Sequence, residues 1–545
     1  MGREQTRPLW IFTLAVCLAF GAAPLLKGGY YIGKHEGDTL HLAELVLRMA
    51  AGEVPHLDFM TPIGILAIAP IAWIVRAGAG LGHAIFLAQF AVALVLLGPA
   101  VHVATTRFAG AWRYLYTAFV MILCLALVHG EAHKAVSISM HYNRWAWAVS
   151  YVIVPLALMR RRDGSTATAA EGLLIGAGLA LLLLTKVTYF AAILPAVLVA
   201  LLGHRARAAF AGALLAGLAL CGLVTLLLGP GFWLAYLKDL LTVAGSDIRP
   251  QPGESFVDTV TLPLYVGGSI TALAGVALLR QSGRAVEGLA LLVLVPGLFY
   301  ITYQNYGNDP QWLYLLALML VTLRPEDGEA RNALGWKLRG TLTLAAILAL
   351  AFGLPSAVNL GFSPWRHLAQ DTADYVPLLP ALAAHHDVLA YGPRLYTVNR
   401  TLPYDTADSP FARYRQLAER EEPATFRGET LPECQMEGGA NPWFETVGAD
   451  LEQAGYAGAG VIGTDLFSAY WMFGDFRPVH GAAPWAYGGL PGIDDADYVL
   501  VPLCPMSPTL RAGMLAELEN GPWTLSEVRR TDLYILLAVS RSMNP

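Results

Sequence analysis

The sequence predicts an all-α polytopic membrane domain followed by a small α/β domain outside the cytoplasm. Three observations predict it. Of 545 residues, 55% are hydrophobic and only 14% charged, with mean hydropathy +0.49, against about 25% charged residues in ordinary soluble domains. Apolar runs close to bilayer-spanning length recur through the first 358 positions. Beyond them the apolar runs shorten to strand length. The net charge of −5 selects no class of partner.

Taken in order, about eleven transmembrane helices are read at 9–26, 84–103, 113–130, 144–159, 171–185, 188–202, 208–228, 259–279, 286–303, 311–323 and 338–356. The first follows Arg3 and Arg7 and has the look of a signal peptide. AAPLLKGGYY makes a poor cleavage site, so a retained helix is expected. Ile63–Val75 is apolar but short for a span, and is read as a juxtamembrane helix. With the N-terminus inside, Arg107, Arg113, Arg160, Arg161, Arg162, Arg205, Arg207, Arg280, Arg284, Arg324, Arg331, Lys337 and Arg339 all fall in cytoplasmic loops. The long loop 27–83, the loops 131–143, 229–258 and 304–310, and everything after Ser356 then face the other side, the periplasm of a bacterium. The domains are thus 1–358, in the bacterial inner membrane, and 359–545, periplasmic.

In the second domain, strands are expected at Asp387–Gly392, Ala459–Gly463, Asp497–Leu503 and Leu533–Val539, with helical pieces at Phe411–Glu421 and Thr509–Asn520. No GxGxxG or P-loop is present, which leaves nucleotide binding unsupported, and nothing points to nucleic acid. Cys17, Cys124 and Cys221 read as small core residues. Cys434 and Cys504 can form a disulfide if their domain lies outside the cytoplasm.

The chemistry-bearing stretch is His35–Gly64, HEGDTLHLAELVLRMAAGEVPHLDFMTPIG. A helix over Asp38–Ala51 puts His41, Glu44 and Arg48 on one face and leucines on the rest, so it is expected to lie along the membrane surface, with Gly52 ending it. Asp38 either caps that helix or serves as an acid. Asp58 either joins a site or ties its loop through backbone amides. His129, His133 and His141 share a helical spacing that would suit zinc, a reading weighed against ordinary interface histidines. Asn308 and Asp309, in the polar turn QNYGND, are candidate sugar contacts or an ordinary turn.

These residues carry a resemblance. A first span, then Glu36 and Asp38, an amphipathic helix ending at Gly52, Val54-Pro55-His56-Leu57-Asp58-Phe59 and Thr61-Pro62 together resemble the first loop of GT-C membrane glycosyltransferases. The likeness is to the branch of protein O-mannosyltransferases and lipid A aminoarabinose transferases. Leu184-Thr185-Lys186 resembles the TKG/TKQ turn of those enzymes, and SMHYNRWAW places Asn143 where relatives often carry an acid. HEGD replaces the usual DE pair. Counting back from Val54-Pro55 favours Asp38 as the catalytic acid, and counting from the helix pattern favours Glu36.

The resemblance implies a hexosyl or pentosyl transferase of the inverting type. It would move a sugar from a polyprenyl phosphate in the membrane lipid to a glycan, lipid or protein acceptor. No cofactor is certain and a divalent metal is left open. Asp38 or Glu36 would take the acceptor's proton. The departing phosphate would need cations, sought among Lys34, His56, Lys134, His141, Arg144 and Lys186. Arg144 is favoured for bidentate contact and Lys186 follows. Two other classes remain: a transporter or flippase of a lipid-linked saccharide, and a non-catalytic polysaccharide assembly protein.

Overall fold

Leucine, alanine and valine without charges leave most of the chain up to residue 371 no way to satisfy its backbone in lipid except as helix. The structure, a computed structural model, describes residues 3–128, 134–246, 256–305, 310–417 and 423–541. His129, His133, Asn308 and Asp309 lie outside the described residues. The helices are α1 (Arg3–Lys27), α2 (Glu36–Ala51), α3 (Ile65–Arg76), α4 (Leu81–Arg107), α5 (Trp112–Leu125), α6 (His141–Leu158), α7 (Ala169–Thr185), α8 (Val187–Gly203), α9 (Arg207–Leu228) and α10 (Gly231–Ala244). They continue with α11 (Phe256–Val260), α12 (Pro263–Gln281), α13 (Ala285–Gln304), α14 (Trp312–Thr322) and α15 (Leu338–Ala369). Then come α16 (Gly392–Leu395), α17 (Ala440–Gln453) and α18 (Pro508–Asn520).

Each predicted span coincides with a helix. Among the described residues α1, α4, α9, α12, α13 and α15 are long and apolar enough to cross a membrane, and α3, α5, α7, α8 and α14 are shorter apolar helices. The chain is a multi-pass membrane protein. Several boundaries move by a few residues, and two moves are informative. The third span stops at Leu125 rather than running to 130, because residues 126–128 are drawn out of the helix. Arg144 takes the carbonyls of Ala126 and Val128, and the Leu127 amide donates to Ser363 Oγ. The last span runs on to Ala369 through Pro355 and Pro364.

The chain divides into two compact units. The membrane unit comprises Met1–His35, Ile63–Pro230 and Gln251–Asp371. Its tightest packing is α7 on α9. A Cβ on Gly172 would lie 2.1 Å from the Ala209 carbonyl oxygen, and one on Gly176 1.9 Å from that of Ala213. Small residues let two membrane helices touch backbone to backbone. Glu171 caps α7 in a box with Thr168 and receives a bidentate pair from buried Arg107, at 2.9 and 3.1 Å. At the other end of the bundle Lys27 bonds the carbonyls of Leu368 and Gln370, which ties α1 to α15.

The second unit comprises Glu36–Pro62, Gly231–Pro250 and Thr372–Pro545. Its main sheet orders strands Trp523–Arg530, Tyr534–Arg541, Tyr498–Pro502 and Val461–Gly463, antiparallel except for the last pair, which is parallel. Val499, Val501, Ile535 and Leu537 pack with Leu510, Met514 and Leu518 of α18. The four expected strands are present, but Val388–Tyr391 pairs with Tyr375–Pro377 instead of joining this sheet. Trp523–Arg530 and α17 had no expectation. The segment read as helix from 411 is a 3₁₀ turn over Ala412–Leu417. Cys434 and Cys504 are disulfide-bonded, their Cα atoms 4.8 Å apart.

Candidate active site

The acids of the first loop open α2. Glu36 and Asp38 occupy its first turn, where the helix dipole favours negative charge. Glu36 accepts a 2.7 Å ion pair from Arg394 Nε. Asp38 is half-buried, one step along the same turn.

The rest of α2 is buried on its polar face as well: His41, Glu44 and Arg48 are buried along with Leu40, Leu45 and Val46. Arg48 Nε holds Glu53, and its Nη2 donates to the Val479 carbonyl. Glu44 accepts from Trp471 Nε1 at 3.1 Å. Burial pushes the Glu44 carboxyl above its ordinary range, against the pull of Arg48. Gly52, at φ 111°, ends the helix: its amide donates to the Met49 carbonyl and the Glu53 amide to that of Arg48.

The loop that follows is tied internally. Asp58 Oδ2 accepts from the Val54 amide at 2.6 Å, and its own carbonyl accepts from Gly481. His56 is buried at φ 73°. Its Nδ1 lies 2.8 Å from Asp239 Oδ2, and its ring lies 4.4 Å from that of Tyr236 on α10. Asp239 also accepts from the Thr61 amide. His56 and Asp58 thus hold the loop's shape.

A second group forms in the membrane unit. Lys186 occupies the break between α7 and α8, at φ −155°, and donates to Asn305 Oδ1 at 3.1 Å. Asn143 Nδ2 donates to the same oxygen at 3.1 Å. Lys186 Nζ also lies 5.2 Å from the centre of the Tyr142 ring. The structure therefore gathers the start of α6, the α7–α8 break and the end of α13 around one cation. Gly64, before α3, abuts this break: its amide donates to Thr185, and a Cβ there would lie 2.2 Å from the Leu184 carbonyl oxygen.

Two sequence candidates are engaged elsewhere. Arg144, favoured for phosphate, is fully buried, with Nη1 and Nη2 spent on the Val128 and Ala126 carbonyls at 2.6 and 2.9 Å. His141 Nε2 pairs with the Ala67 carbonyl. Among the described residues no group of three His, Cys, Asp or Glu is placed to hold a metal ion. Asp239 and Arg394 were not singled out from sequence, and Asn305 was read only as part of the polar turn QNYGND. A lone acid in FWLAYLKDLL was a readable signal for Asp239, whereas nothing local marks Arg394.

No protein-family model matches the chain, and no curated protein does. Among solved structures the chain is similar to the crystal structure of ArnT from Cupriavidus metallidurans in the apo state. The identity is 12%, the TM-score 0.36, and the match covers 97% of each chain.

Proposed function

We propose that this protein is an integral membrane glycosyltransferase. It transfers a sugar from a polyprenyl phosphate to an acceptor at the periplasmic face of a bacterial inner membrane. The observation that carries this reading is the lysine at the α7–α8 break, held by Asn305 within a multi-pass membrane unit. An ionisable group at membrane depth is a functional candidate, and a cation there is what a lipid phosphate leaving group requires. The motif resemblance of the first loop supports it further.

The chemistry is a single displacement. An acceptor hydroxyl attacks the anomeric carbon, the new carbon–oxygen bond forms, and the bond to the phosphate oxygen breaks with inversion. The hydroxyl proton passes to Asp38 as general base. Asp38 is preferred over Glu36 because counting back from Val54-Pro55 favours it. The departing polyprenyl phosphate leaves with a negative charge that a cation must meet, and Lys186 is the membrane unit's candidate for that role. The Cys434–Cys504 bond supports an oxidising compartment for the second unit.

The test uses purified protein in lipid nanodiscs with polyprenyl-phosphate pentoses and hexoses as donors. Asp38→Asn is expected to lower turnover by about 10²-fold or more, and Lys186→Ala by about 10²–10³-fold. Wild-type turnover in both folded variants would sink the proposal. Movement of the donor across a bilayer without covalent transfer would point to a flippase instead.

A further inference from the structure

The second unit contains a cleft of about 930 Å³, within the range of about 300–1,000 Å³ for small-molecule sites. Its frame is local. Asn399–Thr401 pairs antiparallel with Gln435–Gly438. Gly439, at φ 100°, then turns the chain into α17, where a Cβ would press within 2.9 Å of Val398. This opens the start of α17 into the cleft, and no side chain caps that helix.

The second observation is independent. Asn441 lines the same cleft and is only 1% exposed. Its Nδ2 donates to the Leu378 carbonyl at 2.6 Å, but its Oδ1 has no hydrogen-bond partner among the described residues. A buried acceptor left unmet keeps its desolvation penalty, so it asks for a donor.

The remaining lining decides the ligand's chemistry. Arg394 is already neutralised by Glu36, and Glu437 adds a further carboxylate. An anion finds no excess of positive charge there. The cleft offers donors at the start of α17, acceptors at Asn441 and Glu437, and rings at Tyr391 and Phe467. A hydroxyl both donates and accepts, and sugar rings have apolar faces that stack on aromatics. We infer that this cleft binds a neutral oligosaccharide. This deepens the proposed function, on which it rests for its meaning: the saccharide would be the acceptor. The binding itself does not require transfer.

The test probes the full chain in nanodiscs against an array of immobilised neutral di- to tetrasaccharides of glucose, galactose, mannose and N-acetylhexosamines, with phosphorylated and sulfated counterparts. Saturable binding to a neutral glycan is expected. Asn399→Trp, which fills the cleft from an exposed position, is expected to weaken it at least about tenfold, and Asn441→Ala to weaken it also. Asn399→Trp leaves the Asn441–Leu378 bond in place, so it reads the cleft even if Asn441→Ala fails to fold. No neutral glycan bound, binding unchanged in Asn399→Trp, or binding confined to the anionic glycans would each overturn the inference. Asp38 does not line the cleft. A variant Asp38→Asn that binds glycan as wild type while keeping full transfer would therefore overturn the transfer mechanism and leave the cleft standing.

Discussion

Asp465 shows how a single buried carboxylate sets a pH response. It accepts the amides of Leu466, Met506 and Ser507, at 2.8, 2.6 and 2.9 Å. Burial nevertheless pushes its carboxyl from 3.8 up to about 6, against those bonds and Arg511. The folded value exceeds the unfolded one. The stability tied to protonation is therefore complete below 3.8 and is lost as pH rises through about 6. The melting temperature of wild type minus that of Asp465→Asn is expected to be largest at the acidic end and to narrow across that window. A difference that stays flat with pH would contradict it. Much at this scale was legible. Lys186 and Asn143 were singled out from type and position, and the structure joins them. Arg144 was favoured on chemistry alone, but sequence does not show that two carbonyls eighteen and sixteen positions upstream would claim its guanidinium.

At the scale of elements, the apolar runs fixed helix existence, because lipid leaves the backbone few alternatives. Boundaries failed where a side chain competed with the helix, as at 126–128. In α2 the burial of the polar face was hidden for a related reason. Its polar face reads as a solvent face until Trp471 and Val479, over four hundred residues away, are known to meet it. The α7–α9 contact yields a sharp prediction. Gly176→Leu forces a side chain into the Ala213 backbone and is expected to cost at least the ~1–3 kcal/mol of ordinary overpacking. Denaturant unfolding in detergent measures it, with Gly222→Leu as the comparison, since nothing lies within 4 Å of a Cβ there. Equal losses in the two would show that no close approach is being broken.

For the whole molecule, charge and parity give an orientation that labelling can check. In a background without the free cysteines, Lys134→Cys is expected to react with a membrane-impermeant maleimide in intact cells. Arg162→Cys is expected to react only after lysis. Both positions are exposed. The reverse pattern would place the first-loop acids in the cytoplasm. Within the second unit, Cys504→Ser is expected to lower stability by about 2–4 kcal/mol, since the bond closes a separation of 70 residues. Thermal melting with and without reductant reads the same quantity. Sequence gave the strand-rich character of this unit, but not that it takes in Glu36–Pro62 and Gly231–Pro250 from far upstream. Their membership is hidden because their partners are remote in the chain.

That interleaving has a consequence for biogenesis. The ribosome delivers α2 soon after the first membrane helix, while Trp471 and Val479, which bond Glu44 and Arg48, arrive only after the last. For the interval between, a peptide bearing an unshielded arginine and a row of leucines must wait without its mate, and factors that guard nascent chains have an obvious client. By the same logic, trimming the gene to its final third would leave that unit incomplete, so grafting that portion onto another protein is expected to give insoluble material unless residues 36–62 and 231–250 travel with it.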